Sequence, residues 1–482
     1  MTRCSRRDFL RTSGAFALAG LSPMPRAPWY DEVRVAVVGL RGRGGDHVEG
    51  FRRLPGVRVV ALVDVDAKVL AAAAKKFAER GEDVLTFADL RTVLERKDVD
   101  AISIATPNHW HSLQGIWSCQ AGKDVYVEKP VSHNVWEGAQ LVAAARKYQR
   151  IVQAGTQCRS SHGIADGIAW VQAGNLGRIT MARGLCYKPR PSIGKVAGEQ
   201  TVPAHVDYEL WTGPAPLRPL SRKSLHYDWH WVWDTGNGDV GNQGIHQMDL
   251  ARWALGETGL PRRTFSVGGR VGYDDDGQTP NSQLVVHEYE KAPLLFEVRG
   301  LPRDRAAQAG DWGKGMDSFL GARVGVVVHC EGGTLRIPDY TRAIVHDQDG
   351  KEVRRFEGAT DHYANFVAAV RSRKVEELKG PVHEGHVSSA LCHLGNVSHR
   401  TGAPASTKEI VAGVAASAPA AEAVERLFAH VQQNGVDLAA TPLTFGRPLA
   451  IDAATGVVQG GDDVQRLLRG SYREGFVVPE SV

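Results

Sequence analysis

Cysteine is scarce in this chain: Cys4, Cys119, Cys158, Cys186, Cys330 and Cys392 are all there are in 482 residues. No two are spaced as C-x-x-C, so neither a redox pair nor a disulfide framework is implied. Most read as small buried hydrophobes. Excess charge is scarce too. The formal net charge is only +4, and the first 27 residues supply that surplus with Arg3, Arg6, Arg7, Arg11 and Arg26 against Asp8. The remainder is formally neutral, which leaves no electrostatic footprint for nucleic acid or an anionic membrane. A G-x-S-x-G elbow is also missing, so a serine nucleophile has no support. The histidines and acids of "HYDWHWVWD" (226–234) match no firm ligand pattern, and no metal is expected.

What is present begins with "SRRDFLRTSGAFALAGL" (5–21): a basic start, paired Arg6-Arg7, Phe9-Leu10, then a short apolar stretch. The run resembles a twin-arginine export signal, a targeting segment rather than a membrane span. Residues 1–30 are therefore expected to direct the chain through the twin-arginine machinery to the periplasm or beyond. No transmembrane span is expected in the mature chain.

From residue 31 to 155, apolar strands alternate with helices: "VRVAVVG", "VRVVALVDVD", "VDAISIATP", "DVYVEKP" and "IVQAGTQ". This spacing predicts an α/β unit with a parallel sheet covered on both faces, a Rossmann-type dinucleotide-binding domain. Alternating stretches between 156 and 405, such as "SQLVVHEYE" and "VGVVVHCEGGTLRIP", predict a second α/β domain with a large, mostly antiparallel open sheet. An Ala-rich helical insertion is expected over 406–440. The tail, 441–482, holds enough aromatics to dock on the body.

The first turn, Gly39-Leu40-Arg41-Gly42-Arg43-Gly44, lies between a strand and a helix, where glycines let the backbone approach a pyrophosphate. Asp64 closes the second strand, where a carboxylate accepts hydrogen bonds from the ribose hydroxyls and repels a 2′-phosphate. NAD is thus favoured over NADP. Lys129 ends a core strand and is followed by Pro130, which aims its side chain at the ligand edge of the sheet. Trp229, Trp231 and Trp233 recur at alternate positions beside His230 and Asp234, a stripe suited to stacking on sugar rings or to core packing.

The glycine turn, Asp64, "ATPNHWH" (105–111), "EKP" (128–130) and "GNQGIHQMD" (241–249) occur in the order found in the glucose–fructose oxidoreductase / inositol dehydrogenase / rhizopine-catabolism (Gfo/Idh/MocA) family, which this chain resembles. "AGTQCRSS" and "SYREGFVVP" resemble its exported branch. The resemblance implies a tightly retained NAD held by Gly39, Arg41, Gly42, Arg43, Gly44, Asp64, Thr106, Pro107, Asn108, His109, Glu128 and Lys129. It also implies a carbohydrate or glycoside substrate and a homo-oligomer formed through the C-terminal sheet. Lys129 and His246 map to the family's catalytic lysine and histidine. Asn242 stands where the family has aspartate, and an amide cannot accept a proton. Asp239 or Asp249 could compensate, Asp249 sharing a helical face with His246. Trp110, Arg159, Trp229, Trp231, Trp233 and Asp239 are the expected substrate contacts. The implied activity is hydride transfer at a ring carbinol. Its alternatives are a redox-neutral NAD-dependent glycosidase acting through a 3-keto intermediate and a non-catalytic NAD- and sugar-binding protein.

Overall fold

The computed structural model describes residues 32–482, so the expected export segment lies outside the described residues. Six short strands, β1 (Val33–Val38), β2 (Val57–Val63), β3 (Leu85–Phe87), β4 (Ala101–Ile104), β5 (Asp124–Val127) and β6 (Val152–Ala154), form a parallel sheet in the order β3-β2-β1-β4-β5-β6. Every residue of β4 and β5 is buried, as expected of strands covered on both faces. The strand order reverses between β1 and β4, which opens a ligand crevice at the carboxyl ends of these two strands. One face of the sheet is closed from far along the chain: Tyr363 and Phe366 of the helix His362–Ser372 pack on Phe51 and Tyr126.

The second sheet runs β14-β13-β12-β11-β7-β10-β9-β8 through β7 (Ile179–Tyr187), β8 (Arg263–Gly269), β9 (Ser282–Glu288), β10 (Leu294–Arg299), β11 (Val324–Cys330), β12 (Gly333–Ile337), β13 (Arg342–Asp347) and β14 (Glu352–Glu357). Short pairings by Thr444–Phe445 and Leu449–Ala450 extend it at β8. All its neighbours are antiparallel except β7 and β10. Three helices cover its inner face: His162–Gln172, Gly244–Leu255 and Val382–Arg400. The last also packs on Val135–Lys147 of the first domain, tying the two halves together.

The Ala-rich insertion covers part of the opposite face. Ser406 and Glu409 form a reciprocal capping box that starts the helix Thr407–Val414. Ser417 caps a second helix, Ala418–Gln433, with Pro419 in its first turn, so the run is two helices with a corner. Ile410, Val414, Val424, Leu427 and Val431 sit against Phe265, Leu284, Val286 and Leu295 of the sheet. Met316 and Phe319 cover Leu185, Tyr187 and Val327 beside them. This face is thus covered at β7–β11 by the chain's own segments. Leu427→Ala should cost about 2–3 kcal/mol in chemical denaturation, because a fully packed leucine loses both burial and neighbours.

The tail returns to the first domain. Phe476 and Val478 are buried in its core, and Phe476 meets the Trp110 ring edge-on at 5.5 Å. No helix among the described residues is long and apolar enough to cross a membrane. The five described cysteines are free and buried.

Candidate functional site

A cleft of about 470 Å³ opens at the strand-order reversal, between the glycine turn, the β4 and β5 ends and the segment 226–242. The turn is built for close approach. Gly39 has φ +78°, and a Cβ there would lie 2.8 Å from the Ala105 carbonyl oxygen. A Cβ on Gly44 would strike the Gly39 carbonyl oxygen at 1.8 Å. Gly42 lines the cleft at φ +50° with nothing within 4 Å of its missing Cβ, so the backbone ahead of the helix Arg43–Arg52 is left bare toward the cleft. Such a bare turn at a helix N-terminus fits a pyrophosphate. Asp64 accepts from the Leu40 and Asp66 amides at 2.9 Å each and still lines the cleft. Burial raises its pKa, and the two amide hydrogen bonds oppose that rise. Arg41 is exposed on the same rim. These residues fit a bound dinucleotide.

Asp64→Ser should weaken NAD binding about 10- to 100-fold, since hydrogen bonds to a charged acceptor are worth about 1.5–3 kcal/mol. It should also narrow the gap to NADP. Calorimetric titration of cofactor-stripped protein with each nucleotide measures both effects.

At the other end of the cleft, Glu128 holds the loops in register. Its carboxylate accepts from Arg43 Nε at 2.8 Å and from the Lys129 amide at 3.1 Å, and it lies 3.0 Å from His47 Nε2. Burial would raise its pKa, but the His47 hydrogen bond and the Arg43 charge hold it well below the usual carboxylate range. The Lys129–Pro130 peptide is cis. Lys129 Nζ donates to the Asn242 carbonyl oxygen at 2.8 Å, and both residues line the cleft. Burial lowers the lysine pKa; Glu128 opposes this, and Arg43 and Lys188 add to it. Thr106, Pro107 and Asn108 also line the cleft.

Several expected contacts lie elsewhere. Asp249 does not serve His246: its carboxylate takes a forked ion pair from Arg159 at 2.7 and 2.9 Å and a hydrogen bond from Ser388 at 2.7 Å. Arg159 is thereby committed to Asp249 and Glu384 rather than to a substrate. Asp239 is likewise buried in a forked pair with Arg190, whose guanidinium lies 4.9 Å from the Trp231 ring. Neither Asp239 nor Trp231 lines the cleft. The tryptophan stripe is divided because residues 228–231 form a 3₁₀ turn, not a strand, so alternate side chains do not share a face. Only Trp229 lines the main cleft; Trp233 lines a second cavity of about 280 Å³ together with His109 and Tyr472.

His109 is a wall residue, its ring nitrogens 3.3 Å from the Thr235 carbonyl oxygen and 3.1 Å from that of Trp211. Trp110 reaches the cleft, but its indole N–H is held by the main-chain oxygens of Leu210 and Trp211. His246 is 3% exposed, its ring 5.2 Å from that of Tyr340, and its Nδ1 has no hydrogen-bond partner among the described residues. Burial, then the charge of Lys129, pushes its pKa down to about 3.

Two cleft residues escaped the sequence reading. His111 spans the Pro130 and Thr106 carbonyl oxygens at 2.6 and 2.7 Å, bracing the loop that carries Lys129. The "ATPNHWH" motif held this signal, but only the fold shows which of its two histidines faces inward. His230 is the other, noted in sequence merely as lying between tryptophans. Among the described residues no cluster of three or more His, Cys, Asp or Glu side chains is arranged to hold a metal ion.

Residues 33–156 match the model of an oxidoreductase family with an NAD-binding Rossmann fold, and residues 176–275 match that of its C-terminal alpha/beta domain. A protein called glycosyl hydrolase family 109 protein 2, from Shewanella sp. (strain ANA-3), is 35% identical over 176 residues, which are 31% of this chain and 39% of that protein. A glycosyl hydrolase family 109 protein from Shewanella baltica (strain OS155 / ATCC BAA-1091) is 34% identical over 178 residues, with the same shares covered. The match thus spans about two fifths of these relatives. The WlbA dehydrogenase from Bordetella pertussis, crystallised with NADH and UDP-GlcNAcA, superposes with a TM-score of 0.56 at 18% identity over 77% of this chain and 97% of that one. At that identity the likeness is one of fold.

Proposed function

Because the chain belongs to the Gfo/Idh/MocA oxidoreductase family and carries its NAD-binding domain, we propose that it acts on a sugar or glycoside at a ring carbinol, keeping its cofactor through turnover. The observation that carries this reading is one cleft in which the bare glycine turn, Asp64 and the Lys129 ammonium converge. NAD bound there supplies a hydride acceptor. Lys129, pinned by the Asn242 carbonyl oxygen and backed by Glu128, presents its remaining N–H bonds to a carbinol oxygen and stabilises negative charge as it develops. Glu128 and His111 keep that ammonium in place. Trp229 offers an apolar wall for a sugar ring.

A second reading, redox-neutral glycoside cleavage, is favoured by the names of the curated relatives. In it, transient oxidation of a ring carbinol acidifies the neighbouring C–H and lets the glycosidic oxygen leave. Export by the twin-arginine route is part of the proposal, supported by the run around Arg6-Arg7. A compartment poor in free NAD suits an enzyme that ends each cycle with its cofactor restored. A homo-oligomer formed through the C-terminal sheet belongs to the same proposal.

The test is to purify the chain without added cofactor, release and assay its nucleotide, and offer the intact protein p-nitrophenyl glycosides. Bound NAD with nitrophenol release and no net NADH is the result expected of the redox-neutral cycle. Bound NAD without cleavage favours sugar oxidoreduction or plain binding. Protein that neither holds nor takes up NAD would overturn the proposal.

A further inference from the structure

We propose that His230, rather than His246, is the group that exchanges a proton with the substrate hydroxyl in this cleft. The inference rests on the carbinol chemistry proposed above.

Three observations on different residues converge. First, His246 is poorly placed for the task. It is 3% exposed beside the Tyr340 ring, and it does not line the cleft. The residue four positions before it is Asn242, whose part here is played by its backbone carbonyl on Lys129. Asp249, the other acid within reach in sequence, is consumed by Arg159.

Second, His230 does line the cleft, as do Lys129, Asn242 and Trp229. Its Nδ1 lies 2.6 Å from the Tyr227 carbonyl oxygen. A carbonyl only accepts, so Nδ1 carries the hydrogen, and in the neutral ring the lone pair is on Nε2. Among the described residues no hydrogen bond occupies Nε2. The ring lies flat on Trp229, with centroids 3.6 Å apart and planes 21° from parallel, which fixes its orientation. A tethered tautomer with a free second nitrogen is the usual arrangement of a proton-transferring histidine.

Third, the charges around it favour the neutral, accepting form. Burial lowers its pKa to about 3; the Tyr227 hydrogen bond opposes that, and the charges of Lys129, Arg190 and Lys188 add to it. All three of these charges are cationic. In the proposed step the hydroxyl O–H bond breaks and its proton goes to Nε2. The electron pair stays on the carbinol oxygen, where the Lys129 ammonium stabilises it, and the same proton returns when the hydroxyl is restored.

The first test needs no substrate. The full chain is treated with diethyl pyrocarbonate at neutral pH and the modified histidines are located by peptide mass spectrometry. Labelling of His230 with His246 spared is expected; labelling of His246 with His230 spared overturns the proposal. The second test uses p-nitrophenyl glycosides as the probe. His230→Gln should lower kcat about 10²- to 10⁴-fold, the range for losing an acid–base group, with KM and NAD binding within threefold of the parent. His246→Gln should retain most of the rate. Turnover of His230→Gln within threefold of the parent also overturns the proposal. If the parent cleaves none of the glycosides, it is the glycosidase reading that fails, and the labelling pattern alone decides the role of His230.

Discussion

Lys129→Met should abolish turnover, lowering it about 10²- to 10⁴-fold, while the purified protein still carries its nucleotide. The methionine keeps the length and apolar stem of the side chain but offers no N–H, so it tests the ammonium rather than the packing. Its removal also leaves the Asn242 carbonyl oxygen without its 2.8 Å partner. A fully buried acceptor left unsatisfied costs about 1–3 kcal/mol and this half-buried one costs less, so the melting temperature must be recorded beside the rate. Lys129→Arg is the companion: it keeps the charge but spreads it over a plane too large for one carbonyl, and partial activity is expected. A folded, NAD-loaded Lys129→Met protein that turns over at the parent rate would remove Lys129 from the chemistry.

The second large effect concerns stability. Arg159→Met should destabilise the fold by about 3–5 kcal/mol, the usual cost of leaving a buried charge unpaired. Asp249 is 1% exposed. Without Arg159 it keeps Ser388 and a more distant Arg252, 3.7 Å away. The guanidinium also gives up Glu384 and its place 5.1 Å from the Trp253 ring. Replacing both partners, Arg159→Met with Asp249→Asn, should recover much of the loss, because no charge is then stranded.

The pH dependence has a defined sign. Burial pushes the Asp249 pKa up, but Arg159 outweighs burial and the net shift on folding is downward. The carboxylate therefore stabilises the fold fully above the ordinary Asp value of 3.8 and stops doing so as pH falls through its lower folded value. The gap between parent and Arg159→Met in urea denaturation should narrow in strong acid. If the variant instead unfolds like the parent and shows only a raised KM, Arg159 is the substrate contact that the sequence suggested.

These two residues mark what was legible and what was not. Lys129 was readable because its signal is local: an apolar strand, a charge and a proline are adjacent, and the topology of a parallel sheet says where such a strand end points. The glycine turn and Asp64 were readable for the same reason. Arg159 and Asp249 lie 90 positions apart, and Arg190 and Asp239 lie 49 apart. Nothing in either neighbourhood tells a buried ion pair from two site residues. Motif spacing therefore over-assigned charged groups to the cleft. The tryptophan stripe divided through geometry, with Trp231 taking the core alternative: period-two spacing shares a face only in an extended chain, and residues 228–231 are a 3₁₀ turn. His230 was passed over because the family pattern already supplied a histidine. The insertion was recognisable as helical from its alanines, but which apolar surface it covers depends on a sheet assembled from strands more than a hundred residues earlier.

The docking of the tail has a consequence for the order of events at the ribosome. Residues 33–156, which hold the glycine turn and Lys129, emerge early, yet Phe476, which packs against the cleft-lining Trp110, is made some 320 residues later. At translation rates of about 5–20 residues per second, Trp110 stands without the ring that packs behind it for roughly 15–60 s. The closing helix from 362 to 372 arrives only part-way through that interval. A cofactor that met the nascent chain would find the cradle but not the enclosure. A chain cut short before residue 472 should therefore bind NAD more weakly than the chain that carries the tail, as calorimetric titration of the two would show.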